Sequence, residues 1–324
     1  MAIKVCHITT VHPAFDVRIF HKECKSLANA GYEVHLIVAN GKTETVDGIH
    51  VHGIEVKYKN RLQRFIKSPK LLAQYALKLD ADIYHFHDPE FLLAIPQLLA
   101  AGKKIVYDVH EDLPKQILNK HYIPALLRKT ISVLIKRFEE SRAKKCGAIV
   151  TTVPVITQRF KKINLKVAEV CNYPDLAQMP GATDWKNKTN SICYVGGLTA
   201  VRGVKELIDA LPKTNVQLLL AGEFSPAEFR KECEQSRGWQ QVSFLGFQNR
   251  DGVKSIYDQA KIGMVTLYPI PNYLDAYPVK MFEYMAAGIP VIVSDFPILK
   301  EIIDTYECGI SVNPLDRKST RLNS

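Results

Sequence analysis

The sequence predicts an α/β protein of two doubly wound domains, and three observations predict it. Short apolar segments alternate with stretches of helical spacing, the pattern of a parallel sheet covered on both faces. The alternation restarts past the middle of the chain. The 324 residues, 47% hydrophobic and 23% charged, suit two cores better than one.

Residues 3–8 form a compact apolar run that reads as the first strand. Residues 17–30 follow with helical spacing at Ile19, Phe20, Cys24, Leu27 and Ala28, with Asp16 placed to cap the helix and Gly31 to end it. Residues 33–39, 83–86, 104–108 and 148–151 read as further strands. The second series reads 191–195, 216–221, 242–245, 262–266 and 291–293. The changeover holds Asn172-Tyr173-Pro174-Asp175 and a polar stretch over 184–190, which places the domains at 1–172 and 173–316.

Charge divides the same way. Residues 1–172 hold 27 Lys and Arg against 16 Asp and Glu, and residues 173–324 hold 16 against 17. An excess confined to one half suggests an anionic partner for that half: nucleic acid, a membrane surface or a lipid phosphate. Seven scattered cysteines, odd in number and without Cys-x-x-Cys, suggest neither a disulfide framework nor a zinc site and fit a reducing cytoplasm. The N-terminus runs directly into the first strand, unlike a cleaved signal.

Two doubly wound domains are also the plan of a dehydrogenase, but the glycines are wrong. The first turn, Thr9-Thr10-Val11-His12-Pro13-Ala14-Phe15-Asp16, has none, and Gly196-Gly197 is followed next by Gly203. Neither Gly-x-Gly-x-x-Gly nor a P-loop is present.

The chemistry-bearing segment runs Asn272-Tyr273-Leu274-Asp275-Ala276-Tyr277-Pro278-Val279-Lys280-Met281-Phe282-Glu283, then Met285-Ala286-Ala287-Gly288-Ile289-Pro290-Val291-Ile292. A turn-rich loop leads to Pro278, which suits a helix start, and Gly288 ends the short helix. Exposed amides at the start of that helix, from Val279 on, suit a phosphate, and Lys280 adds a full charge. Glu283, one turn on, is placed to accept hydrogen bonds from two neighbouring hydroxyls, as on a ribose.

This segment resembles the signature of the retaining GT-B glycosyltransferases of family four: two acids separated by seven residues before a Met-Ala-x-Gly-x-Pro-Val-Ile run. Asp275 and Glu283 fall on the two acids. The resemblance implies that Glu283 binds the nucleotide ribose and that Asp275, a methylene shorter than the usual Glu, stands at the donor sugar. Tyr194-Val195-Gly196-Gly197-Leu198 with Arg202-Gly203 resembles the family's diphosphate loop, with Arg202 on its second basic position and Gly197 in place of the first. His85-Phe86-His87-Asp88-Pro89-Glu90 and Tyr107-Asp108-Val109-His110-Glu111-Asp112 resemble acceptor-domain segments of one branch.

The resemblance implies two Rossmann-like domains facing a central cleft. Residues 1–172 would bind the acceptor, with Asp16, His87 and Asp88 on that side and His110 near the reacting sugar. Residues 173–316 would bind the donor through Gly196, Gly197, Arg202, Asp275, Pro278, Val279, Lys280 and Glu283. The implied reaction moves a sugar from a nucleoside-diphosphate donor to a lipid-linked or saccharide acceptor with retention. Cations and helix amides would stabilise the departing phosphate, with no cofactor and no metal. Asp80-Ala81-Asp82 has the spelling of a metal-binding motif but directly precedes a strand and reads as its solvated start.

The implied partners are a nucleotide sugar, a glycan or polyprenyl-linked acceptor and an anionic membrane surface, with no nucleic acid. The implied location is the cytoplasm, peripheral on the plasma membrane. Two other classes share the architecture: a sugar-nucleotide epimerase or phosphorylase, and a non-catalytic sugar-nucleotide-binding protein. The resemblance stops near Asp316. Residues 317–324 have no helical apolar face and read as a non-native tail, with the second domain truncated where relatives continue into a helix.

Overall fold

The computed structural model describes residues 2–120, 123–179, 181 and 183–315. The tail expected to be non-native lies outside them. The chain divides into two compact units, Met1–Asn172 and Tyr173–Ser324.

The first unit opens with β1 (Lys4–Thr9) and a π-helical turn (Ile19–Cys24) that runs into α1 (Lys25–Asn29). Then come β2 (Glu33–Ala39), β3 (Glu44–Val46), β4 (Ile49–Ile54), α2 (Arg61–Leu79) and β5 (Ile83–Phe86). A 3-10 turn (Pro89–Leu93) leads to α3 (Ile95–Ala100), β6 (Lys104–Val109), α4 (Leu113–Leu118) and α5 (Ala125–Ala143). The unit closes with β7 (Ala148–Thr151), α6 (Pro154–Lys161) and β8 (Val167–Glu169). The sheet order is β3-β4-β2-β1-β5-β6-β7-β8, parallel except for the β3–β4 pair.

The second unit runs β9 (Ser191–Val195), α7 (Val204–Ala210), β10 (Gln217–Ala221), α8 (Glu228–Glu234), β11 (Val242–Gly246) and α9 (Arg250–Gln259). It continues with β12 (Ile262–Val265), α10 (Val279–Ala286), β13 (Val291–Ser294), α11 (Pro297–Tyr306) and β14 (Gly309–Val312). Its sheet, β11-β10-β9-β12-β13-β14, is parallel throughout. Alternation along β9 and β10 feeds two cores. Cys193, Leu219 and Ala221 pack with α9, α10 and α11 on one face. Ile192, Tyr194, Leu218 and Leu220 pack with α7 and α8 on the other.

Each sheet reverses its winding beside its first strand, between β1 and β5 in one unit and between β9 and β12 in the other. At such a switch point the loops after neighbouring strands diverge and leave a crevice at the strands' C-terminal ends, where doubly wound folds place ligands.

The structure departs from the sequence reading in its shortest strands and its first helix. β3, β4, β8 and β14 lie outside the expected strands; β3, β8 and β14 are only three or four residues long, whereas β4 alternates Ile49, His50, Val51 and His52, a legible strand pattern that the sequence reading misses. The helix expected over 17–30 begins instead as the π turn. Asp16 does cap it: its Oδ1 accepts from the amides of Arg18 at 2.8 Å and Ile19 at 2.9 Å. Gly31, at φ +88°, supplies the left-handed residue that ends α1. Asp80 ends α2 in the left-handed region and pairs with Lys103, and Asp82 Oδ2 accepts the Lys4 amide at 2.8 Å, so both acids serve local structure.

Candidate functional site

In the second unit, the chain leaves β9 through Gly196, at φ +132°, its amide donating to the Ala221 carbonyl at 3.0 Å. Gly222 backs this turn so closely that a Cβ there would collide with the Gly196 oxygen. The loop climbs through a 3-10 turn (Ala200–Arg202) to Gly203, where φ +66° turns it into α7. This path swings Arg202 back over its own loop. Arg202 Nη1 lies 3.5 Å from the Gly197 oxygen and Nε donates to the Tyr273 hydroxyl at 3.5 Å.

Lys280 reaches the same place from α10. Its Nζ lies 3.3 Å above the centre of the Tyr194 ring. A Cβ at Gly196 would stand 3.8 Å from both Lys280 Nζ and Arg202 Nη1, so two cations converge on the glycine backbone. Lys280 Nζ is buried and has no hydrogen-bond partner among the described residues. Burial, then the charge of Arg202, holds its pKa well below the usual lysine range. A buried, unpaired ammonium beside a guanidinium is costly unless an anion completes the set.

The start of α10 contributes less than its sequence suggests. The Met281 amide donates to the Pro278 oxygen at 2.9 Å, so Val279 and Lys280 supply the first amides that no intrahelical bond can use. Glu283 sits on the same helix, and its Oε2 accepts from the Tyr257 hydroxyl of α9 at 3.0 Å. Its Oε1 makes no hydrogen bond to any described residue. Asp275 lies in the half-buried turn between β12 and α10. Gly196, Gly197, Arg202 and Lys280 are thus brought together, with Pro278, Val279 and Glu283 along the helix that carries Lys280.

In the first unit the switch point gathers a buried polar cluster. β1 and β5 put His7 opposite His85, and the next inward residues are His87, just past the end of β5, and Asp108 in β6. Asp108 is fully buried and is the hub. Its Oδ1 accepts from Arg18 Nη2 at 3.0 Å. Its Oδ2 accepts from Arg18 Nε at 3.0 Å, His110 Nε2 at 3.0 Å and His87 Nδ1 at 3.2 Å. Burial alone would raise Asp108, but bonds from His110 and His87 and the charge of Arg18 outweigh it and hold the carboxyl well below its usual range.

Glu23, aimed inward by the π turn, goes the other way. Burial and the Asp108 charge push it up to about 9, against the pull of Arg18, whose Nε lies 2.9 Å from Glu23 Oε1. Ligand-type atoms of Glu23, His85, His87 and Asp108 lie within 4.8 Å of one another. Arg18 already supplies the cation against Asp108 and reaches Glu23 as well, so the set fits a guanidinium better than an added metal.

His110 is the member of this cluster that reaches outward, its side chain 18% exposed. His87 and Asp88 are almost wholly buried. Asp88 Oδ2 accepts from Thr9 Oγ1 at 2.7 Å and the Thr10 amide at 2.6 Å. Asp16 lies 3.4 Å from His12 Nδ1, and His12 Nε2 is 3.4 Å from Asp88 Oδ1. His12 is raised by its bond to Asp16, and Asp88 and Glu111 add to it. His87, Asp88 and Asp16 therefore hold the shape of this end of the unit, and His12 and His110 stand nearer its surface. The sequence alone does not single out Arg18 and Glu23. Their only signal is a pair of charges inside an apolar helical pattern.

A family model described as Glycosyltransferase Family 4 matches residues 17–171, and one described as Glycosyl transferases group 1 matches residues 177–320. The chain is 36% identical over 128 residues to an uncharacterised glycosyltransferase of Methanocaldococcus jannaschii, a stretch covering 38% of this chain and 32% of that protein. It is 22% identical over 307 residues to a phosphatidyl-myo-inositol mannosyltransferase of Mycolicibacterium smegmatis, covering 90% of this chain and 74% of that one. The sucrose-phosphate synthase of Thermosynechococcus elongatus superposes with a TM-score of 0.77 at 17% identity, over 98% of this chain and 88% of that one, a likeness of fold. The two family models between them span both units, and the chain belongs to the family-four, group 1 glycosyltransferases of GT-B architecture.

Proposed function

We propose that the protein transfers a sugar from a nucleoside-diphosphate donor to a lipid-linked or saccharide acceptor, with retention at the sugar carbon and without a metal. The observation that carries this is Lys280: a buried amino group with no hydrogen-bond partner among the described residues, facing Arg202 across Gly196. Such a pair matches a diphosphate in charge and leaves nothing for an uncharged ligand to satisfy. As the sugar–phosphate bond breaks, negative charge grows on the phosphate, and preorganised cations in a water-poor site stabilise it more than they stabilise the intact donor. Glu283, with Oε2 held by Tyr257, offers Oε1 to the ribose hydroxyls. Asp275 is the second unit's residue for the donor sugar, and His110 is the residue of the first unit that would hydrogen-bond a sugar hydroxyl.

The acceptor reading rests on the surface of the first unit. Leu62, Phe65 and Ile66 on α2, and Leu127, Leu134 and Phe138 on α5, are exposed among Arg61, Lys67, Lys129, Lys136 and Arg137. Apolar side chains set among cations suit an anionic bilayer, where a polyprenyl-phosphate acceptor would reside. No helix among the described residues is long and apolar enough to cross a membrane.

One calorimetric experiment tests the donor site. Lys280→Met weakens binding of a nucleoside diphosphate by about 10–100-fold, as for loss of a charged hydrogen bond, and leaves nucleoside binding nearly unchanged. Glu283→Gln weakens both ligands alike. Equal losses for both ligands in Lys280→Met would remove the phosphate from this site.

A further inference from the structure

His110 Nδ1 has no hydrogen-bond partner among the described residues, while its Nε2 faces Asp108 at 3.0 Å. The tautomers of the cluster follow from that geometry. Asp108 is ionised and so only accepts. Arg18, His87 Nδ1 and His110 Nε2 therefore all donate to it. With His87 protonated at Nδ1, its Nε2 must accept, so His7 Nδ1, 2.9 Å away, is the donor. Burial drives His7 and His87 toward the neutral form, which leaves one proton per ring and one consistent assignment. His7 donates to His87, His87 to Asp108, and His110 to Asp108 from the other side.

We infer that Asp108 is a positioning residue: it fixes His110 with Nε2–H turned into the protein and the Nδ1 lone pair turned outward, so that Nδ1 is the atom that accepts a hydrogen bond from a sugar hydroxyl. This rests on the reading that His110 lies at the reacting sugar. It adds which nitrogen works and what holds it. The 3.2 Å approach of His87 Nδ1 to His110 Nε2 brings two N–H groups side by side onto one oxygen. The arrangement holds only while that oxygen is anionic. Arg18 supports the ionisation from a bidentate position, and Glu23, kept protonated, adds no second negative charge.

Asp108→Asn preserves shape and removes the charge. The introduced carboxamide cannot satisfy Arg18 and both imidazoles as acceptor at once, so its NH2 turns toward the histidines, and His110 must then carry its proton on Nδ1. Turnover falls about 100-fold or more, as when an imidazole is held in the wrong tautomer, while the donor KM stays within about threefold. Two conservative variants identify the working nitrogen. His110→Asn keeps a polar atom near the place of Nδ1 and His110→Gln keeps one near Nε2. His110→Asn is expected to retain at least about tenfold more turnover.

The nitrogen-15 spectrum of His110 reads the tautomer without reference to activity. The wild type shows Nε2–H and Asp108→Asn shows Nδ1–H. A wild type protonated at Nδ1, a His110→Gln variant more active than His110→Asn, or a folded Asp108→Asn with unaltered turnover each overturns the proposal. A wild type that transfers no sugar overturns the transferase reading instead, and the spectrum still decides the tautomer.

Discussion

Lys280 is the residue on which the proposed donor site turns, and its chemistry has a measurable consequence. In the free protein, burial and Arg202 hold its pKa well below the ordinary 10.5. A diphosphate against Nζ favours the charged form and raises that pKa. At a pH between the free and bound values, binding therefore takes up a proton, and affinity falls as pH rises through that window. Titrations of a nucleoside diphosphate in buffers of different ionisation enthalpy count that proton. We expect net uptake in the wild type and none through this residue in Lys280→Met; proton release in the wild type would contradict the assignment. The motif spelled out Lys280, Glu283 and the loop glycines, because a charge at the start of a short helix has few other uses. The unpaired burial of Nζ was not legible, since it depends on Tyr194 from another strand.

At the scale of elements, strand spacing was more informative than it first reads. His85-x-His87 and Asp108-x-His110 each recur at two residues, which puts each pair on one face of a strand. What the spacing omits is that β5 pairs with both β1 and β6, the adjacency that brings His7 and Asp108 together. The π turn is the other omission. One extra residue per turn re-aims Arg18 and Glu23, and the apolar pattern of residues 17–30 fits an ordinary helix equally well.

Glu23 makes this turn testable. Its folded pKa, about 9, lies above its ordinary 4.5. Between those values the folded state binds a proton that the unfolded chain does not, so stability declines as pH rises across the window. Glu23→Gln mimics the protonated acid and lacks this dependence. Urea unfolding from pH 5 to pH 9 is expected to show the variant gaining on the wild type by about 1.4 kcal/mol per pH unit at most. A constant difference across that range would mean that Glu23 is ionised in the folded protein.

Over the whole molecule, the asymmetry of charge sets the first unit apart. Residues 1–172 carry the entire basic excess, and α2 and α5 display cations beside exposed leucine and phenylalanine. Co-sedimentation is expected with anionic vesicles and not with neutral ones, at about 1 kcal/mol per well-placed cation, weakening with salt. Equal binding to both kinds, or to neither, would leave a soluble acceptor as the better reading. The architecture was legible because both sheets are parallel in all but one pair and most strands are short buried runs followed by a helix. The ends of the first sheet were not, because β3 and β8 are three residues each and mostly exposed.

The central claim is sugar transfer, and the direct measurement is transfer itself. The protein is incubated with radiolabelled nucleoside-diphosphate sugars and an extract of lipid-linked and oligosaccharide acceptors, and both the free nucleoside diphosphate and the labelled product are counted. The account predicts that one donor yields nucleoside diphosphate and labelled acceptor in equal amounts, with the donor's anomeric configuration kept in the product and turnover lost in Lys280→Met. Tight donor binding with neither diphosphate release nor label in any acceptor would contradict it, and would make the protein a sugar-nucleotide binder built on a transferase fold.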